Sequence, residues 1–203
     1  MTQSAPSDDA LVSAMRAAVS LERDALEALA ADLGAHALAA VRLMAGVKGR
    51  VICAGVGKSG HVARKIAATL ASTGTPAQFV HPSEASHGDL GMITPDDAVL
   101  ALSKSGETRE LGDLIAYCRR FAVPLLGLTA KADSTLGRGA DIALVIPDAP
   151  EACAETRAPT TSTTLMMAYG DALAIGLIEA RGFTASQFAR FHPGGALGSA
   201  LAS

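Results

Sequence analysis

The chain has 203 residues, of which 49% are hydrophobic, 18% charged and only 3% aromatic, with a formal net charge of −3 at pH 7. That length suffices for one domain whose core is built from Ala, Leu, Val and Ile rather than from rings. A mildly acidic chain without Trp offers neither an electrostatic footprint for nucleic acid nor a stacking platform for bases. No apolar run approaches the ~18 residues that crossing a bilayer takes, so nucleic acid and membrane are both excluded as expected partners.

Residues 8 to 46 carry Leu11, Met15, Val19, Leu26, Leu29, Leu33, Leu38, Val41 and Met44 at spacings near three and four, broken at Gly34. The pattern predicts one long or two shorter amphipathic helices. Strand-length apolar runs follow at 51–54, 77–80, 98–102, 124–128 and 141–146, separated by helical or loop segments. Alternation of this kind, with strands apolar on both faces, predicts an α/β fold: a three-layer sandwich in which helices cover a parallel, five-stranded sheet, preceded by the N-terminal helices.

Helices are expected at 60–72 after Ser59, at 109–121 after Thr108, and at 165–181 after a Thr/Ser cluster, with Gly74, Gly182 and the Gly194-Gly195 pair marking ends and turns. Residues 1–203 read as a single domain, a helical segment at 8–46 leading into an α/β core at 47–198 with no second domain expected after it. Cys53, Cys118 and Cys153 are widely spaced and odd in number, which fits neither a disulfide framework nor a paired metal motif. A reducing, cytoplasmic setting is expected.

Twice a strand runs straight into a loop rich in Gly, Ser and Lys: Gly55-Val-Gly57-Lys58-Ser59-Gly60 and Ser103-Lys104-Ser105-Gly106-Glu107-Thr108. Free N–H groups, hydroxyls and a positive helix end around one small space suit a phosphate. Gly55-x-Gly57-x-x-Gly60 imitates a dinucleotide fingerprint, yet the second strand, Gln78-Phe79-Val80-His81, ends without the acidic residue that holds a ribose. A P-loop would need a glycine where Ile52 stands. Taken alone, Lys58 reads equally as a surface lysine or a functional one, Thr108 as a helix cap, and Glu110 as a helix-dipole residue or a carboxylate aimed at the strand ends. His81, His87 and His192 sit in loop sequence, whereas His36 and His61 lie in helical patterns and read as structural.

These stretches resemble the sugar isomerase domain family, and within it the arabinose 5-phosphate isomerases. The resemblance also rests on Ala71-Ser-Thr-Gly-Thr-Pro76, His81-Pro82 through His87-Gly88-Asp89, Ala158-Pro-Thr-Thr-Ser-Thr-Thr164, Gly170-Asp171-Ala172, and His192-Pro-Gly-Gly-Ala-Leu-Gly198, and covers nearly everything from 51 to 198. It implies that Lys58, Glu110, Glu151 and His192 are catalytic, that His87 lies near the substrate, and that Gly74 and Thr75 line the sugar site. It implies further that Ser59, Ser103, Ser105, Gly106 and Thr108 hold the phosphate, that no cofactor is needed, and that His81 can ligate an inhibitory or adventitious zinc. The family forms homotetramers in which neighbouring subunits complete each site, and its longer members continue into paired regulatory repeats of the cystathionine β-synthase type that this chain is expected to lack.

The reaction implied interconverts D-ribulose 5-phosphate and D-arabinose 5-phosphate through a cis-enediol, supplying the precursor of 3-deoxy-D-manno-octulosonate. Glu110 is the leading base, with Glu151 its competitor, Lys58 the stabiliser of the enediolate, and His192 or His87 the proton carrier between oxygens. Isomerisation of another sugar phosphate, or non-catalytic sensing of a sugar phosphate or nucleotide sugar, are the rival expectations. Lys104 stands where many relatives carry Asn, which either strengthens phosphate attraction or points to solvent.

Overall fold

Side chains alternate across a strand, so strands that are apolar at every position must be covered on both faces. The computed structural model, which describes residues 6–193, contains β1 (Val51–Gly55), β2 (Ala77–Val80), β3 (Ala98–Leu102), β4 (Leu125–Thr129) and β5 (Ile142–Val145). They form one parallel sheet in the order β2-β1-β3-β4-β5. The helices are α1 (Asp8–Asp32), α2 (Ala35–Gly46), α3 (Gly57–Ser72), α4 (Pro82–Ala85), α5 (Gly112–Phe121), α6 (Thr135–Gly139), α7 (Thr161–Arg181) and α8 (Ala185–Phe191).

Val51, Cys53, Leu100, Leu102, Leu126 and Leu128 face one way and pack with residues of α1, α2, α3 and α7. Ile52, Ala54, Val99, Ala101 and Leu125 face the other way, against α4, α5 and α6. The expected sandwich is therefore present, with its strand periodicity of two intact. Cys53 and Cys118 belong to these cores, and burial pushes both thiols up to about 12, so they act as small apolar packing groups.

The N-terminal segment is two helices, bent by 75° at the break that contains Gly34. No single helix among the described residues is long and apolar enough to cross a membrane. α3 and α7 lie side by side and run in the same direction. The Ser59 hydroxyl sits 3.9 Å from the Met166 sulfur, Lys65 pairs with Asp171, Gly170 packs on Ile66, and Gly74 packs on the Phe183 ring. Both helices thus start at the carboxyl ends of the strands and finish at the amino ends.

Helix starts differ from the expected ones in ways that matter for the site. α3 begins at Gly57, so Ser59 lies inside its first turn and is not a cap. Residues 109–111 form a 3-10 turn ahead of α5, and the Thr108 hydroxyl bonds to Ser103 rather than capping it. The short helices α4, α6 and α8 were not expected from periodicity, which needs more turns to register. α8 nevertheless has a readable start, since Thr184 and Gln187 form a reciprocal capping box. Ile66 is fully buried at the α3–α7 contact, so Ile66→Ala is expected to destabilise the fold by about 3 kcal/mol, read as a lower urea midpoint.

Candidate active site

Gly55 at the end of β1 pairs in register with Leu102 at the end of β3. The chain winds from β1 outward to β2 on one side and from β3 outward to β4 and β5 on the other. The β1–β3 boundary is therefore the switch point, where open parallel sheets leave a crevice beyond their carboxyl ends. Both glycine-rich loops leave the sheet there, side by side.

The first loop turns directly into α3. A Cβ on Gly60 would lie 2.6 Å from the Gly55 carbonyl oxygen, so glycine lets the helix start close against the strand end. No side chain caps α3, and Lys58, its second residue, is exposed and makes no salt bridge among the described residues. The loop thus presents an uncapped helix start and a cation together.

The second loop is shaped from within. The buried Ser103 hydroxyl accepts the Gly106 N–H at 3.0 Å and shares a 2.8 Å bond with the Thr108 hydroxyl. Ser105 Oγ accepts the Glu107 N–H at 3.2 Å. Gly106 has φ of +68°, and a Cβ there would stand 1.8 Å from Ser134 Oγ, so no other residue fits. From outside, Thr129 Oγ1 and the Ala130 N–H donate to the Lys104 carbonyl, while Glu107 accepts from the N–H and hydroxyl of Thr135. Among the described residues the N–H groups of Lys104, Ser105 and Thr108 make no hydrogen bond, which leaves donors available to an anion.

Glu110 is exposed on the 3-10 turn that follows this loop, and α4 packs against that turn. His81 and His87 flank α4, so the histidine loop lies beside Glu110 at the same end of the sheet. His87 is exposed. His81 caps α4, its Nδ1 accepting the Ser83 N–H at 3.2 Å. That bond uses the Nδ1 lone pair and leaves the neutral ring's proton on Nε2, and among the described residues no three His, Cys, Asp or Glu side chains converge.

Glu151 reaches the second loop from the segment before α7. Its side chain is 5% exposed and accepts from Lys104 Nζ at 2.5 Å, Ser162 Oγ at 2.5 Å, the Thr160 N–H at 2.8 Å and the Ser162 N–H at 3.3 Å. Burial pushes this carboxyl up, but the bonds from Lys104, Ser162 and Thr160 prevail and hold it down at about 2. A carboxylate saturated with donors is a weak base. No spacing rule in the sequence joins Lys104, Thr160 and Ser162 to Glu151. The Thr/Ser run at 160–164 was the available signal, because it places hydroxyls and free N–H groups at a helix start.

Three of the expected residues lie elsewhere in the protomer. Thr75 is buried ahead of β2, at the amino end of the sheet, beside Gly74 and the Phe183 ring. Phe183 stacks on Phe191, and His192 stacks on Phe188 while its Nδ1–H donates to the Phe188 carbonyl at 2.9 Å. Gly74, Thr75 and His192 are thus separated from Lys58 by the length of α3, about 20 Å at 1.5 Å per residue. Within one protomer the structure brings together Lys58, Ser59, Ser103, Ser105, Gly106, Thr108, Glu110, Glu151, His81 and His87, but not Gly74, Thr75 or His192. Of the two histidines read as structural, His36 donates to the Ala143 carbonyl and His61 is exposed; Gly194 and Gly195 lie outside the described residues.

Residues 43–176, which include both loops, match the SIS domain. The chain belongs to the SIS domain family. Relatives of this SIS domain include the arabinose 5-phosphate isomerase KdsD of Pseudomonas aeruginosa, 54% identical over 183 residues that make up 90% of this chain and 56% of that protein. The arabinose 5-phosphate isomerase KpsF of Escherichia coli O6:H1 is 48% identical over 200 residues, 98% of this chain and 61% of that one. The chain therefore spans little more than half the length of the curated relatives it matches. The solved structure of E. coli CFT073 c3406 in complex with A5P matches this SIS domain with a TM-score of 0.88 at 36% identity, covering 93% of this chain and all of that one.

Because the Glu151 carboxyl lies below its ordinary 4.5, it stabilises the fold above about pH 4.5, and that contribution is lost as pH falls toward 2. Its size is on the order of 3 kcal/mol. The stability gap between the native chain and Glu151→Gln is expected to be widest at neutral pH and to close between pH 4.5 and 2, followed by urea melts across that range. A gap independent of pH would show that the charge is not what holds the carboxylate.

Proposed function

We propose that this SIS domain is an aldose–ketose isomerase that interconverts D-ribulose 5-phosphate and D-arabinose 5-phosphate through a cis-enediol. The observation that carries the reading is the meeting, at the switch point, of an anion cradle, an exposed lysine and an exposed carboxylate. Relatives named for arabinose 5-phosphate supply the identity of the sugar.

In this mechanism the hydroxyls of Ser105 and Thr108 and the free loop N–H groups hold the phosphate, while Ser103 and Gly106 keep the loop in shape. Anchoring one end of the sugar fixes its carbonyl end against the catalytic groups. Glu110 takes a proton from the carbon next to the carbonyl and returns it to the neighbouring carbon, while a second proton passes between the two oxygens. Lys58, at the positive start of α3, stabilises the enediolate oxygen. The saturated hydrogen bonding of Glu151 favours Glu110 over it as base.

The Thr75 side chain is buried within its own protomer, whereas His192 and Gly74 reach a site only from a neighbouring subunit, which supports a homotetramer with shared sites. His87 stands in the same protomer as Glu110, so His87 and His192 are the two carriers available for the oxygen-to-oxygen proton. The thiols and the charged metabolite fit a cytoplasmic enzyme, and the product fits a role as precursor of 3-deoxy-D-manno-octulosonate.

The test is an assay of ribulose 5-phosphate coupled to a synthase that condenses arabinose 5-phosphate with phosphoenolpyruvate. Turnover is expected with the native chain, whereas Glu110→Gln should lose incorporation of solvent hydrogen into the sugar by about a thousandfold or more. No turnover of ribulose 5-phosphate by the native chain would remove this reading. Sharing of sites is tested by co-refolding Lys58→Ala with His192→Ala, each nearly inactive alone. Activity is expected to reappear in verified mixed oligomers, and silent mixed oligomers would confine each site to one protomer.

A further inference from the structure

Lys104 occupies the middle of the proposed cradle, yet its side chain is directed to Glu151. Its backbone cannot follow an incoming ligand, because its carbonyl is held by the Ala130 N–H at 3.0 Å and by Thr129 Oγ1 at 3.2 Å, both at the end of β4. The side chain can. It is 36% exposed, against 5% for Glu151, and lines a cleft of about 550 Å³ together with Glu151, Cys153 and Arg157. Its flexible stem rises between Ser103 and Ser105, the residues that frame the anion site.

Glu151 does not depend on this lysine for its place. Without it the carboxylate keeps Ser162 Oγ, Thr160 Oγ1, the Thr160 N–H and the Ser162 N–H, four donors fixed to the start of α7. A phosphate monoester carries ~1.5 to 2 negative charges at neutral pH, against one on a carboxylate, so it attracts a shared cation more strongly at equal distance. The remaining anion in the cleft, Asp148, is engaged by Lys131. One mobile cation thus stands between a carboxylate that can do without it and a site suited to a more highly charged group.

We propose that Lys104 is a shared cation, which pairs with Glu151 in the phosphate-free protein and passes to the phosphate of a bound phosphate monoester. The exchange makes occupancy of the cradle the event that strips Glu151 of its cationic partner. An unphosphorylated sugar cannot draw Lys104 away, so the lysine both binds and discriminates. The inference rests on reading Ser103 to Thr108 as the phosphate cradle.

Calorimetric titration with inorganic phosphate tests the exchange without requiring any turnover. Lys104→Met is expected to weaken phosphate binding by about tenfold, and Lys104→Arg to stay within about threefold of the native chain. Glu151→Gln should tighten binding by about threefold, because it removes the competing anion. In the double variant that gain should vanish, leaving the affinity of Lys104→Met. Should Lys104→Met fail to fold, Lys104→Gln serves as the neutral variant.

The proposal is overturned if Glu151→Gln binds no more tightly than the native chain, if its gain survives in the double variant, or if neutralising Lys104 leaves affinity unchanged. Native protein that binds no phosphate would remove the cradle reading and this inference together. An intact phosphate cycle in a chain that does not turn over ribulose 5-phosphate would remove only the isomerase reading.

Discussion

The reversal of winding between β1 and β3 is the constraint on which the rest of the structure depends. Parallel strands connected by helices deliver every strand-to-helix turn to one end of the sheet, and the reversal opens a gap between two of those turns. The in-register pairing of Gly55 with Leu102 sets the two loops at the same height. Everything proposed for the chemistry, from the Lys58 turn to the cradle after β3, follows from that placement rather than from any single residue.

Around this gap the polar groups are organised in a hierarchy. Buried ones such as Ser103, Thr129 and Ser134 hold backbone N–H and carbonyl groups and so make the loop rigid. Exposed ones such as Lys58, Ser105 and Glu110 carry no partner of comparable strength among the described residues and face outward, where a ligand can meet them. Glu151 stands between the two classes, a buried anion at the start of α7 whose cationic partner is rooted in the opposite loop. Without that anion the first turn of α7 would leave the N–H groups of Thr160 and Ser162 without their acceptor.

The layered fold was legible in the sequence because its strands are short, wholly apolar and regularly spaced, and because Gly34 interrupts the leading helical pattern. The cluster at the strand ends was legible for the same reason, since a loop directly after a strand has its position fixed by the sheet. Less could be read where contacts join segments distant in sequence. Lys104 and Glu151 are 47 residues apart, and Thr108 looks like a helix cap until the loop closes on itself through its bond to Ser103. The location of Thr75 and His192 at the far end of α3 could not be read from motifs at all, because a motif gives residue types and not the end of the sheet on which they fall.

The parallel course of α3 and α7 also gives the molecule an electrical direction. Each helix carries a partial positive charge where it starts, and α3, α5 and α7 all start at the carboxyl end of the sheet. Glu151 neutralises the start of α7, whereas that of α3 is reinforced by Lys58. One end of the sheet thus holds both a helix start whose partial charge is cancelled by a buried carboxylate and one whose partial charge is left to an incoming anion.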